Sequence, residues 1–217
     1  EERLTTVTDK NQKEVLESMA ICCSAITTLA RRFADEAQRL STTEKDEIRK
    51  QELIQIAENC AHIAENPPET FYQAIQLLWL YQIACLISHG AFAIFAIGRP
   101  DQYLYDFYIR DIRNGKITNK FAFELICELL IKTSYNLFCL PEILRSSASE
   151  LGADNQAVTV GGVKRDGSDA TNELSYIFVD AISAIKNMTN SFSIRLHKNS
   201  PEEFVKKVIS LYRVTSG

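Results

Sequence analysis

The chain has 217 residues, with 24 Lys and Arg against 28 Asp and Glu, a net charge of -4 and a pI near 5.5. That acidic balance provides no cationic footprint for nucleic acid, and 46% hydrophobic with 24% charged residues fits a globular chain rather than a disordered or fibrous one. The most apolar stretch, residues 74–96, is interrupted by Gln76, Gln82, Ser88, His89 and Gly90, so no membrane span is expected.

In chain order, Val15, Leu16, Met19, Ala20, Cys23, Ile26, Leu29, Ala30, Phe33 and Ala37 recur at helical spacing and predict a helix over residues 11–40 with that stripe on a core. Ser41 and Glu44 have the spacing of a capping box and predict a second, antiparallel helix reaching residue 65. Asn66-Pro67-Pro68 ends it, because proline disfavours helical geometry in the residue before it. A third helix, residues 69–86, is apolar nearly all round. Continuous apolar runs at 91–97, 156–160 and 190–197 predict strands buried on both faces. Helical patterns follow them at 102–114 with 119–137, at 170–186 and at 201–212. Strand and helix alternation of this kind predicts a parallel α/β sheet or barrel.

The turn at Gly161-Gly162 lacks the spacing of a dinucleotide or phosphate loop and reads as a tight strand-to-helix turn. Cys22, Cys23, Cys60, Cys85, Cys127 and Cys139 show no CxxC spacing and read as buried free thiols in a reducing, cytoplasmic setting. His62, His89 and His197 have no ligand companions at helical spacing, so no metal site is expected. The chain opens on Glu1 rather than Met, has no leader pattern and reads as an internal excerpt of a longer protein.

Four stretches carry a family resemblance. They are PPETFYQAIQL at 67–77, GRPDQYLYDFY at 98–108, GGVKRDGSDATNELSY at 161–176 and SFSIRLHKNSP at 191–201. In that order they resemble segments of the glycyl radical enzymes, the pyruvate formate-lyase-like superfamily. The resemblance implies a helix-rich α/β fold, part of a ten-stranded β/α barrel, with three barrel strands supplied here. Residues 1–66 would form an outer helical region and 67–217 the helices and strands of the first half-barrel of one domain. It further implies that the catalytic Cys and the radical Gly lie outside this segment, so that no catalytic residue falls within it and the segment alone is inactive. No cofactor is expected to be bound; a glycyl radical modification is expected elsewhere in the full-length enzyme. The implied partners are a small-molecule substrate, a radical-SAM activating enzyme with an iron-sulfur cluster, and a second subunit in a homodimer. Pro100 and Asp106 depart from the family's usual residues in this turn.

Gly98, Arg99, Asp101 and Asn172 are expected to be structural, with Gly98 permitting a bend and Arg99 clamping Asp101 or backbone at the strand end. Ala93, Ile94 and Ala96 are expected to line the substrate pocket; where family dehydratases place a His-Ser pair, this chain has Ala93 and Ile94. An apolar wall offers a substrate hydroxyl no partner, which costs about 1–3 kcal/mol, so diol dehydration is disfavoured. The expected activity is therefore that of a formate acetyltransferase-like lyase, a decarboxylase or a C-C bond-forming synthase; the alternative is an inert remnant serving as a helical scaffold or interaction module. Arg195 and His197, two apart on the last strand, are expected on one face, as substrate-binding candidates or as buried structural hydrogen bonders. Cys22-Cys23 lies mid-helix and is expected to pack rather than react.

Overall fold

A computed structural model of the chain describes residues 2–89, 96–133, 156–186 and 190–215. It divides into two compact units, Glu1–Pro68 and Glu69–Gly217.

The first unit is helical. After α1 (Glu2–Thr6), α2 (Lys10–Thr43) starts where the Asp9 carboxylate accepts a hydrogen bond from the Gln12 N–H at 2.8 Å. The helix runs straight through the expected capping box. Ser41 is buried in its last turn, donating to the Gln38 carbonyl at 2.7 Å, because it continues the seam of Ala30, Ala34 and Ala37. Asp46 is the cap instead, its carboxylate accepting from Ile48 and Arg49 N–H at 2.8 and 3.0 Å to open α3 (Glu47–Ile63). The Thr27 hydroxyl donates to the Ala64 carbonyl at 2.9 Å, and Arg31 bonds Glu65, so α3 ends beside the middle of α2. With 34 residues against 17, α2 outreaches its partner by about 25 Å at about 1.5 Å per residue. The stripe expected on a core is therefore covered only in its second half; Val15 and Met19 are each 59% exposed.

The second unit contains α4 (Phe71–His89), α5 (Pro100–Tyr103), α6 (Tyr105–Arg113), α7 (Asn119–Thr133), β1 (Gln156–Gly161), α8 (Glu173–Ile185), β2 (Asn190–Arg195) and α9 (Glu202–Thr215). By length and composition alone Phe71–Ser88 does qualify as a membrane span, despite its polar interruptions. In the fold its Phe71, Ala74 and Ile75 join the core, and the Phe71 N–H donates to buried Asp111 at 2.7 Å. The helix expected over 102–114 is two: Asp101 is drawn into the strand ends and the Tyr103 hydroxyl donates to the Ile97 carbonyl at 2.8 Å, and the chain re-enters helix at Tyr105.

β1 and β2 pair in parallel, Gln156 opposite Asn190 through Gly161 opposite Arg195. On the other side of β1, Ile97 N–H donates to the Ala157 carbonyl at 3.1 Å and Thr159 N–H to the Gly98 carbonyl at 2.8 Å, with Gly98 bridging Val158 in parallel. Residues 91–95 of the first expected strand lie outside the described residues. The strands are not apolar on both faces. Val158 and Val160 are fully buried and Phe192 and Ile194 pack on the same core, alongside Leu174, Phe178 and Phe204. The alternate residues Ser191, Ser193 and Arg195 are exposed, and Thr159 is half-buried, because side chains alternate across a strand. The result is a helix-rich α/β fold around a small parallel sheet, with one face of the sheet covered.

Candidate functional site

The three strand lines end together, and side chains from the following turn hold them. Gly98 bends at φ +72°, and Arg99 then donates from Nη1 to the Val163 carbonyl at 3.0 Å and from Nη2 to the Gly161 carbonyl at 2.5 Å. Asp101, fully buried, accepts on Oδ2 from Gly161 N–H and from the Ser175 hydroxyl, both at 2.7 Å. One residue, Gly161, is thus gripped at both its backbone polar groups by residues two apart. Asn172 caps α8 in a reciprocal box with Ser175 and donates from Nδ2 to the Asp101 carbonyl at 2.8 Å. Burial pushes the Asp101 carboxyl above the ordinary range, while Gly161, Ser175, Gln102 and the Arg99 charge pull it back. Arg99 Nε and Asp101 Oδ1 have no hydrogen-bond partner among the described residues.

Gly161 and Gly162 take φ of +73° and +91°. A Cβ on Gly161 would come within 2.9 Å of the Arg195 carbonyl and 3.2 Å of the Phe204 ring. One on Gly162 would lie 3.0 and 3.2 Å from Arg195 Cβ and Cδ and 3.6 Å from Arg99 Nη2. Two arginines therefore share the space that a missing side chain leaves.

The uncovered face of the sheet forms a set of rungs: Ala157 opposite Ser191, Thr159 opposite Ser193, and Gly161 opposite Arg195. It presents hydroxyls that donate or accept and, at the C-terminal end, an exposed guanidinium that forms no ion pair with any described carboxylate. Such a surface can orient a small polar molecule and hold an oxyanion. Open parallel sheets accept ligands at this end of their strands.

Of the residues singled out from sequence, Ala93 and Ile94 lie outside the described residues, and Ala96 is exposed just before the strand end. Arg195 and His197 take different surroundings. The His197 ring is past the end of β2 and hydrogen bonds Asp169 Oδ1 through Nε2 at 2.8 Å, with Thr171 closing the same carboxylate at 3.1 Å. Thr159, Ser191 and Ser193 were not singled out, although the alternation in SFSIR carries the signal. Cys22 and Cys23 are exposed in this chain rather than packed; Cys60 is buried, its thiol pushed up to about 11 by desolvation. Among the described residues no three His, Cys, Asp or Glu side chains gather as metal ligands.

Comparison with known proteins places these features. A sequence profile described as pyruvate formate lyase-like matches residues 1–217. A trans-4-hydroxy-L-proline dehydratase of Clostridioides difficile is 34% identical over 94% of this chain and 26% of its own length. An isethionate sulfite-lyase of Nitratidesulfovibrio vulgaris is 35% identical over 95% of the chain and 25% of its length. The B12-independent glycerol dehydratase of Clostridium butyricum superposes with a TM-score of 0.83 at 30% identity, covering 98% of the chain and 27% of that structure. The chain thus spans about a quarter of the relatives it matches. Dehydratases and lyases of this kind do not favour a formate acetyltransferase, and they remove the case against dehydration built on Ala93 and Ile94. With its profile match over the whole length and its fold shared with these enzymes, the chain belongs to the pyruvate formate lyase-like family of glycyl radical enzymes.

Proposed function

We propose that the chain is a segment of an anaerobic glycyl radical lyase, of the dehydratase type, acting on a small hydroxylated substrate. The observation that carries this reading is the uncovered face of the sheet, where Thr159, Ser191 and Ser193 offer hydrogen bonds to substrate hydroxyls. Relatives that include a hydroxyproline dehydratase and a glycerol dehydratase support the same reaction class. In the complete protein the strands described here would be staves of a β/α barrel, with that face turned inward. Thiyl-radical chemistry would come from a cysteine and a glycine that this segment does not assign. A radical-SAM enzyme would install the glycyl radical in a cytoplasmic homodimer, and Arg99, Asp101 and Asn172 would hold the strand ends beneath the substrate.

The test is anaerobic activation of the full-length protein with its radical-SAM partner, followed by EPR. A carbon-centred doublet split by one α-hydrogen is expected, together with loss of water or of another small leaving group from one member of a panel of hydroxylated substrates. No doublet with a partner that activates a control enzyme would reject the proposal.

A further inference from the structure

We infer that the hairpin of residues 163–169 is a mechanical link tying the exit of β2 to Arg99, through an unbroken run of contacts from His197 to Asp169, across to Val163 and on to Arg99. Within the hairpin, Val163 and Asp169 face each other in an antiparallel bridge. The Lys164 N–H donates to the Ser168 carbonyl at 2.8 Å on one side of that pair, and the Ala170 N–H to the Gly162 carbonyl at 2.9 Å on the other. At the tip, Asp166 accepts from the N–H and the hydroxyl of Ser168 at 3.0 and 2.6 Å. Arg99 reaches one member of the facing pair, donating to the Val163 carbonyl at 3.0 Å, and His197 reaches the other, 2.8 Å from Asp169 Oδ1. Two segments far apart in sequence therefore grip the two sides of one small, internally bonded hairpin.

The His197–Asp169 contact is aimed from both ends by local bonds. The His197 N–H donates to Ser200 Oγ at 3.0 Å, and the Ser200 N–H returns to the His197 carbonyl at 2.9 Å. The Asn199 N–H points at ring Nδ1 at 3.4 Å, so Nδ1 accepts and Nε2 carries the hydrogen given to Asp169. On the other side, the N–H and hydroxyl of Thr171 hold the two Asp169 oxygens at 3.2 and 3.1 Å. Closing the contact therefore costs little further side-chain freedom, and a carboxylate acceptor makes the bond a strong one. With side chains only 18% and 23% exposed, the pair is sheltered from the screening that weakens surface pairs. A displacement of the β2 exit moves Asp169, then Val163 opposite it, and with Val163 the carbonyl on which Arg99 is seated.

The test is amide hydrogen exchange, read by mass spectrometry on the full-length protein without activation. Two variants separate the arms of the ring. In His197→Asn the amide reaches only as far as Nδ1 and loses Asp169, whereas in His197→Gln it reaches as far as Nε2 and keeps a donor for Asp169. His197→Asn should speed exchange about tenfold in both 163–171 and 97–104 and leave the helical unit unchanged, and His197→Gln should return both stretches to near the wild-type rate. A ring that merely fills space would make the two variants behave alike. Asp169→Ala removes the same bond from the hairpin side, should give the same two-stretch pattern, and keeps the test decisive should the His197 variants fail to fold. Wild-type exchange in His197→Asn, acceleration confined to 163–171, acceleration throughout the protein, or a Gln variant as fast as the Asn variant each overturns the inference. The link does not depend on the reaction proposed above, so failure of the EPR experiment would reject the reaction class and leave the link standing.

Discussion

Gly161 has both its backbone polar groups held by side chains, Arg99 on the carbonyl and Asp101 on the N–H. Removing the Asp101 carboxylate orphans that N–H and leaves the Ser175 hydroxyl only the 3.4 Å contact with Asn172 Oδ1, so Asp101→Ala should cost about 1–3 kcal/mol, read from urea unfolding of the full-length protein. The pH dependence follows from the upward shift. Because burial raises the folded pKa of Asp101, the folded protein holds the proton more tightly than the unfolded chain. The contribution of Asp101 to stability is complete below the usual carboxylate value, about 3.9, and is lost as pH rises through the folded value. Asp101→Asn retains an acceptor without the charge. Its Tm relative to wild type should climb from about pH 4 upward, and a pH slope equal to wild type would contradict this account. The GRPDQ stretch announces a strand end held by a cation and an acid. It does not say that the acid serves Gly161, 60 residues away, because that pairing exists only after β1 lies beside the Gly98 strand end.

At the scale of elements, helix ends and strand faces were the parts that sequence pattern misplaced. Ser41 and Glu44 have the spacing of a cap, but Ser41 also falls on the apolar seam of α2, and packing along that seam carries the helix past it. Asp46→Ala should therefore cost about 1 kcal/mol in the helical unit, while Ser41→Ala, in a helix interior, should change stability far less. Chemical denaturation of the two variants separates the assignments; the reverse ranking would restore the cap to Ser41. In β2 the letters SFSIR alternate, and counting only their hydrophobic members made the strand look apolar. The parallel pairing was legible, but the two-residue alternation is hidden in a stretch that reads as a continuous apolar run, and the covered face was not separable from the open one without knowing where the helices lie.

For the molecule as a whole, α2 extends well beyond α3 and the outer edge of β2 has no neighbouring strand among the described residues. Residues 1–217 expressed alone should self-associate with rising concentration, since an unpaired edge recruits another strand. Light scattering checks this; a chain that stays monomeric at high concentration would show the edge to be protected. Order and type of the long elements could be read from sequence because helical and strand periods differ so sharply in α2, β1 and β2. The open end of the sheet could not, since its character depends on Gly162, Arg99 and Arg195 meeting from three separate stretches.

The two-sided character of the sheet bears on how such a protein can change. Val158, Val160, Phe192 and Ile194 secure folding from one side, so positions 157, 159, 191, 193 and 195 can vary with little penalty in stability. Lineages sharing this scaffold could exchange one small molecule for another through a handful of codons. A combinatorial library restricted to those five sites is the economical place to search for new chemistry.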